Sequence, residues 1–425
     1  MVSIAETKKD RIWNGLPAIF YQDKYIIFSP YTKSVVSVTE DQLLDGDLRN
    51  DLSDKGFFGK PLERKEDRLS ITLYLTSNCN LKCIYCFDDK NDGCYTDVNQ
   101  KIMDSEFAVN SLEKVISNFD DLKLHVHFFG GEPTLNMKTI KSVVDHLENK
   151  NLDVNYRVST NLITKEENIK HMISKNFGFD ICCDGRPEIN DRQRPLKSRI
   201  NFKPSKYLED GIKLLTSNNA RIRTKVVVTD DSIEEMPSAI DYLASLGVDH
   251  IRLESVLIDG RAKGFNPVNV EKFVDYFFKA ADKAVEIGKE TGRTIYVSNW
   301  AIKNLFNPRD HFCEFLRGNR IIILPDGEIG KCIRNIHSDE NSPFIIGKVN
   351  EDLYLNRDRM SYLRGLSVEN MEECGQCVGK YSCSGGCYNE NLSMEGDFKT
   401  PYKVKCDLSK LMIRESIIRM YEIFK

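Results

Sequence analysis

Leu69-Ser70-Ile71-Thr72-Leu73-Tyr74-Leu75 runs directly into Thr76-Ser77-Asn78-Cys79-Asn80-Leu81-Lys82-Cys83-Ile84-Tyr85-Cys86-Phe87. The first seven residues are apolar and β-branched, the pattern of a buried strand. Three thiols, spaced by three and then two residues, therefore stand on the loop leaving that strand's carboxyl end. A structural zinc site takes four protein ligands, and a catalytic one takes three plus water. A four-iron cluster held by three cysteines keeps one iron open for another ligand. The thiols alone leave both chemistries standing, beside the plain possibility of core or surface cysteines.

A chain of 425 residues exceeds one ordinary core and implies two or three domains. With 60 basic residues against 64 acidic, a net charge of −4 and 7 histidines, nothing resembles a nucleic-acid surface. No run of 18 apolar residues exists, and Met1-Val2-Ser3-Ile4-Ala5-Glu6 lacks a signal peptide's apolar core. The expectation is a cytoplasmic protein with no membrane and no nucleic-acid partner. Thirteen cysteines, an odd number, argue against a closed disulfide framework. In a reducing compartment, clustered thiols read as metal ligands.

Ahead of the cysteine loop, Ala18–Tyr21, Lys24–Pro30 and Ser34–Val38 read as short strands, followed by a polar helical piece near Glu40–Leu44 and a charged linker over 61–67. Behind it the pattern alternates. Ser105–Phe119 is an amphipathic helix, and Leu124–Phe128 is a strand ending in Gly130-Gly131-Glu132-Pro133. Thr139–Leu147 is the next helix, and Val154–Ser159 is a strand ending at Ser159-Thr160-Asn161. Phe179–Cys183 is a strand ending at Asp184-Gly185, with Asp191-Arg192-Gln193-Arg194 beyond it. Arg223–Val228 and His250–Val256 complete six strand–helix pairs, which imply a parallel sheet. Such sheets bind ligands at their strands' carboxyl ends, where all four motifs fall.

The three-cysteine loop, with Tyr85 just before its last thiol, resembles the CxxxCxxC loop of the radical S-adenosylmethionine (radical SAM) enzymes. Gly130, Gly131 and Glu132 match the family's GGEP segment, which holds the cofactor's amino group. Ser159 and Asn161 match its ribose and methionine contacts, although Leu162 replaces a frequent glycine. Asp184 falls in the family's Asp-Gly segment. Arg194 matches the arginine that pairs with the cofactor carboxylate, a contact suited to its planar fork. Tyr85 would pack by the adenine. The resemblance implies a partial (β/α)6 barrel over 67–300, with Cys79, Cys83 and Cys86 holding a [4Fe–4S] cluster. Cys182, Cys183 and Cys94 are expected to remain free thiols. Residues 1–66 form a small α+β module that resembles leader-peptide recognition modules, the alternative being a cap on the barrel.

Toward the other end, Cys313, Cys332, Cys374, Cys377, Cys383, Cys387 and Cys406 accompany glycines such as Gly327, Gly375, Gly379, Gly385 and Gly386 in a segment without helical rhythm. Spacing alone also allows zinc sites. The arrangement resembles the SPASM domain, here 301–425, which carries two auxiliary [4Fe–4S] clusters. The resemblance assigns Cys374, Cys377, Cys383 and Cys406 to one cluster and Cys313, Cys332 and Cys387 to a nearer one. Asn307 stands where fully ligated members have an eighth cysteine, so Asp310, His311, water or a substrate group would close the nearer cluster.

The family thus implies S-adenosylmethionine, three [4Fe–4S] clusters and a flavodoxin- or ferredoxin-type electron donor. Reductive cleavage yields a 5′-deoxyadenosyl radical that abstracts hydrogen, with the protein supplying position and dryness. SPASM proteins act mainly on ribosomally made precursor peptides. The expectation is an intramolecular peptide crosslink, tilted toward a thioether by the open iron. Carbon–carbon or carbon–oxygen links, other oxidation or epimerisation, or a non-catalytic iron–sulfur electron-transfer protein are the alternatives. Formylglycine formation is disfavoured because Ile333 stands where sulfatase-maturing members place an aspartate.

Overall fold

The computed structural model describes residues 3–59, 68–88, 101–119, 123–198, 202–335 and 342–425. The expected linker over 61–67 and Cys94 lie outside the described residues.

Four antiparallel strands come first, β1 (Arg11–Trp13), β2 (Leu16–Tyr21), β3 (Lys24–Ser29) and β4 (Ser34–Val38), in that spatial order. Their side chains alternate faces. Leu16, Ala18, Tyr25 and Ile27 pack under two helices, α1 (Glu40–Leu44) and α2 (Gly46–Asp54), through Leu43 and Leu52. Ile19, Ile26 and Phe28 point the other way, against Ile413, Ile417 and Ile418 of a helix spanning Lys403–Phe424. Leu408, Leu411 and Met412 of the same helix join the main core, so two bodies cover it.

The second sheet has eleven strands: β5 (Arg68–Tyr74), β6 (Lys123–Phe129), β7 (Val154–Thr160), β8 (Gly178–Cys182), β9 (Arg221–Val228), β10 (His250–Ser255), β11 (Tyr296–Ser298), β12 (Arg320–Ile323), β13 (Glu328–Gly330), β14 (Ile345–Val349) and β15 (Leu353–Leu355). Strands β5 to β10 lie side by side in chain order, all parallel, each followed by helix. This is the expected six-fold strand–helix alternation of an α/β partial barrel. Two further parallel strands flank it: β11 extends the β10 edge, and β12 pairs with β5 from Arg320↔Ser70 to Ile323↔Leu73. Beyond β12 the sheet continues antiparallel through β13, β14 and β15.

Parallel strands covered on both faces are usually apolar throughout. Two of them, β6 and β7, alternate instead. In β6, Leu124, Val126 and Phe128 are buried against the outer helices, while His125, His127 and Phe129 stand on the inner face. In β7, Tyr156 and Val158 are buried and Asn155, Arg157 and Ser159 are not. The inner face is therefore polar. Arg157 and Arg223 both grip Asp180 across three neighbouring strands, with closest approaches of 2.8 Å. No helix among the described residues is long and apolar enough to cross a membrane.

Arg414 fastens the N-terminal sheet to the rest. Its side chain is almost wholly buried, and Nη1 donates to Asp10 Oδ1 at 2.8 Å and to the Phe20 carbonyl at 2.9 Å. Removing one partner of a buried ion pair leaves an uncompensated charge, at a cost of about 3–5 kcal/mol. Asp10→Ala is therefore expected to lower the unfolding midpoint in thermal denaturation and to speed proteolytic cutting within 11–38. An unchanged midpoint would show that the sheet docks by apolar contact alone.

Candidate active site

The loop over 76–87 has almost no regular structure, so its backbone groups must find partners elsewhere. They find them on four other strand-end loops. Gly131 N donates to the Thr76 carbonyl and Glu132 N to the Asn78 carbonyl, both at 2.7 Å. Lys82 N and Ile84 N donate to the carbonyls of Pro195 and Gln193. Asn161 Nδ2 reaches Asn80 Oδ1 at 2.7 Å, and Asn80 Nδ2 reaches the Ile163 carbonyl at 2.8 Å. Finally, Arg261 N donates to the Cys86 carbonyl at 3.1 Å and Arg261 Nη1 to the Cys83 carbonyl at 2.9 Å. Two glycines make these approaches possible. A Cβ on Gly131 would lie 2.3 Å from the Asn78 carbonyl oxygen, and one on Gly260 2.3 Å from that of Cys86, with Gly260 at φ +57°.

Cys79, Cys83 and Cys86 come together on this loop, where burial raises each thiol pKa, that of Cys86 to about 12. N–H donors face the sulfurs. Leu81 N lies 3.4 Å from Cys79 Sγ, Asn161 Nδ2 lies 3.8 Å from the same atom, and Arg194 Nη1 lies 3.8 Å from Cys83 Sγ. Donors aimed at sulfur favour the thiolate, so the set fits metal-bound cysteine. Among the described residues, no three of His, Cys, Asp and Glu converge on a single-ion site.

Glu132 is wholly enclosed. Oε1 accepts from Thr134 N, Thr134 Oγ1 and Thr160 Oγ1 at 2.7–3.1 Å, and Oε2 accepts from Asn161 N at 2.8 Å. Burial pushes its carboxyl pKa up against those donors. It thus ties together the ends of β6 and β7. Asp184 does the same further along. It accepts from Tyr85 Oη, Gln193 Nε2 at 2.9 Å, Val227 N at 3.0 Å and Arg194 Nη2 at 3.1 Å. The Arg194 guanidinium, 5 % exposed, grips Asp184 and lies 5.3 Å from the centre of the Tyr85 ring. Burial opposes its charge, and Asp184, Tyr85 and Cys83 outweigh that, so its pKa is raised. The sequence pointed Tyr85, Asp184 and Arg194 at a cofactor; the structure shows them in contact with one another. Ser159 Oγ meets His127 Nε2 at 2.9 Å.

Inner-face residues missed by motif reading complete the surroundings. Depth within the sheet drives the His127 pKa down to about 4. The same effect lowers that of Lys225, which stands beside Cys182 in register. Burial raises Glu254 to about 7 despite Arg252, Lys225 and Lys405. Polar residues at every second position of apolar strands were the available signal.

The seven later cysteines lie in two neighbourhoods. Cys374 lies among Cys383, Cys377 and Cys406, and burial first, then their mutual repulsion, lifts its pKa to about 12. Cys332 lies with Cys387 and Cys313, and burial again leads in raising its pKa to about 12. His311 Nδ1 and Asp310 Oδ1 bond to each other at 2.8 Å. Asn307, three residues before Asp310, is exposed.

Comparison with known proteins agrees with this geometry. A family model described as a 4Fe-4S single cluster domain matches residues 68–203. The chain is 28% identical over 382 residues to the radical SAM cyclopropyl synthase TigE of Paramaledivibacter caminithermalis, covering 86% of this chain and 77% of that protein. It is 22% identical to a cysteine-type anaerobic sulfatase-maturating enzyme of Clostridium novyi, covering 82% and 95%. The solved structure of anSMEcpe with bound AdoMet shares the fold at TM-score 0.67, with 18% identity over 84% of this chain and 95% of that one. Streptococcus suis SuiB bound to precursor peptide SuiA does so at TM-score 0.58, with 15% identity over 90% and 96%. A three-thiol loop at the carboxyl edge of a partial barrel, with further thiol groups behind it, defines an iron–sulfur radical enzyme. In sequence the chain resembles a radical SAM enzyme over most of its length, and in fold it resembles anSMEcpe and SuiB.

Gly260→Ala tests the packing of the cysteine loop. The added methyl meets the Cys86 backbone at φ +57°, so the loop must move. Anaerobically reconstituted variant should retain its later iron but lose most of the iron tied to Cys79, Cys83 and Cys86, read by iron assay and EPR. Full retention would show that the loop yields without loss of its site.

Proposed function

We propose that the protein is a peptide maturase that closes a carbon–carbon bond within a ribosomally synthesised precursor. The observation that carries this is the three-thiol loop at the mouth of a polar inner face, with two further thiol groups on the same chain. When bound, S-adenosylmethionine and the cluster on Cys79, Cys83 and Cys86 supply a hydrogen-abstracting radical. The chain's own residues position and enclose. Glu132, with Gly130 and Gly131, would hold the cofactor's ammonium; Ser159 and Asn161 would meet its ribose and methionine portion. Arg194, braced by Asp184 and Tyr85, would face its carboxylate through the nitrogen now directed at Cys83. Cys374, Cys377, Cys383 and Cys406 would hold one auxiliary [4Fe–4S] cluster, and Cys313, Cys332 and Cys387 another. The domains would be 1–66, 67–300 and 301–425, the first offering the β4 edge to a leader by strand addition. A flavodoxin- or ferredoxin-type protein would deliver the electron.

Carbon–carbon closure is supported by the relative named as a cyclopropyl synthase, since a cyclopropyl ring is closed by such bonds. A peptide substrate is supported by the fold shared with SuiB, solved with a precursor peptide. The thioether expected from the sequence is the second reading, favoured by the three-thiol count of the nearer group.

Three measurements test this. Reconstituted protein should hold about 12 irons, from three four-iron clusters. Its product should be a peptide lighter by two hydrogens whose cysteines all still alkylate; loss of one alkylatable thiol would instead establish the thioether. Glu132→Gln should weaken S-adenosylmethionine binding by about 10- to 150-fold, the worth of a charged hydrogen bond. A lowered melting point with unchanged affinity would confine Glu132 to its bracing role.

A further inference from the structure

Arg334 is two residues beyond Cys332 and sits on a short turn over Ile333–Asn335. It is only 9% exposed. Among the described residues its guanidinium meets a sulfur: Nη1 lies 3.6 Å from Cys387 Sγ. Two carboxylates flank it, Asp259 Oδ2 at 3.7 Å from Nη2 and Glu390 Oε2 at 3.7 Å from Nη1. Both are themselves more than nine-tenths buried. Charged N–H···O bonds run about 2.7–2.9 Å, so neither carboxylate has captured the guanidinium. An N–H to sulfur bond is longer by nature, and 3.6 Å is within it. The two carboxylates therefore centre the cation, and the thiol receives the donor.

Asp259 also leads back to the first site. Its Oδ1 accepts from Gly260 N at 2.8 Å, and Gly260 and Arg261 are the residues packed on the Cys86 and Cys83 carbonyls. One short segment, 259–261, thus touches the three-cysteine loop on one side and the arginine at Cys387 on the other.

We infer that Arg334 is a positioning residue that donates to the Cys387 sulfur and sets the reduction potential of the iron–sulfur cluster held there, with Asp259 fixing its aim. The inference rests on the assignment of a cluster to Cys313, Cys332 and Cys387. Hydrogen bonds and positive charge at ligand sulfurs favour the reduced, more negative cluster and so raise its potential. No motif marks this residue. In sequence it is an ordinary basic residue beside Ile333.

The test is an EPR-monitored redox titration of anaerobically reconstituted full-length protein, in a Cys79→Ala/Cys83→Ala/Cys86→Ala background that removes the first cluster's signal. Arg334→Gln should make the nearer cluster's potential more negative, by about tenfold in its reduction constant, or ~59 mV for one electron. Arg334→Lys keeps the charge but loses the fork and should fall between. The cluster on Cys374, Cys377, Cys383 and Cys406 should keep its potential. Should Arg334→Gln fail to take up iron, the Arg334→Lys shift decides. A loaded variant with an unmoved potential overturns the inference and leaves the cluster assignment standing. Protein whose iron and EPR signals are unchanged by Cys387→Ala overturns both.

Discussion

The structure depends on a loop that cannot hold itself together. Residues 76–87 carry the three thiols, yet most of their backbone partners come from the ends of other strands. An unpaired buried backbone group costs about as much as a lost hydrogen bond. The loop is therefore stable only where the strand ends already stand in parallel order. Glu132 and Asp184 extend the same logic to side chains, each collecting donors from neighbouring loops. The thiols are placed by the sheet as a whole.

The second constraint is the polarity of the inner face. A parallel sheet that buried apolar residues on both sides would close on itself as a core. Here Arg157, Arg223 and Asp180 satisfy one another, and His127 and Ser159 do likewise. Lys225 and Glu254 sit deep enough for burial to draw their pKa values toward neutrality. A face of this kind stays open to a polar ligand and resists collapse.

Much of this was legible in the sequence because it rests on local signals. Strand and helix periodicity gave six alternating pairs, and the motif loops fell at strand ends as the fold requires. What escaped was decided by tertiary packing. β12 is four residues long and gave no signal of a parallel partner. Ile413 and Ile417 belong to no single stripe, because two bodies cover one helix. Tyr85, Arg194 and Asp184 were recognised but not their orientation toward one another. That orientation depends on χ angles and on neighbours far away in sequence. Arg334 was invisible because its meaning comes from Asp259 and Glu390, which approach it from distant segments.

The pairing of β12 with β5 has a consequence for biosynthesis. β5 leads directly into the three-cysteine loop, but one of its two edges is filled only by residues 320–323. The sheet that faces the helix over Lys403–Phe424 waits longer still, since Asp10 meets Arg414 across 404 positions. On the ribosome, the segment bearing the radical-generating thiols emerges early with an open β edge, a site for mispairing. The neighbour on that edge, β12, arrives about 250 residues later, which at about 5–20 residues per second leaves tens of seconds of exposure. Iron delivered during that interval would meet thiols whose scaffold is unfinished. The topology thus orders assembly, with a closed sheet preceding a shielded cluster.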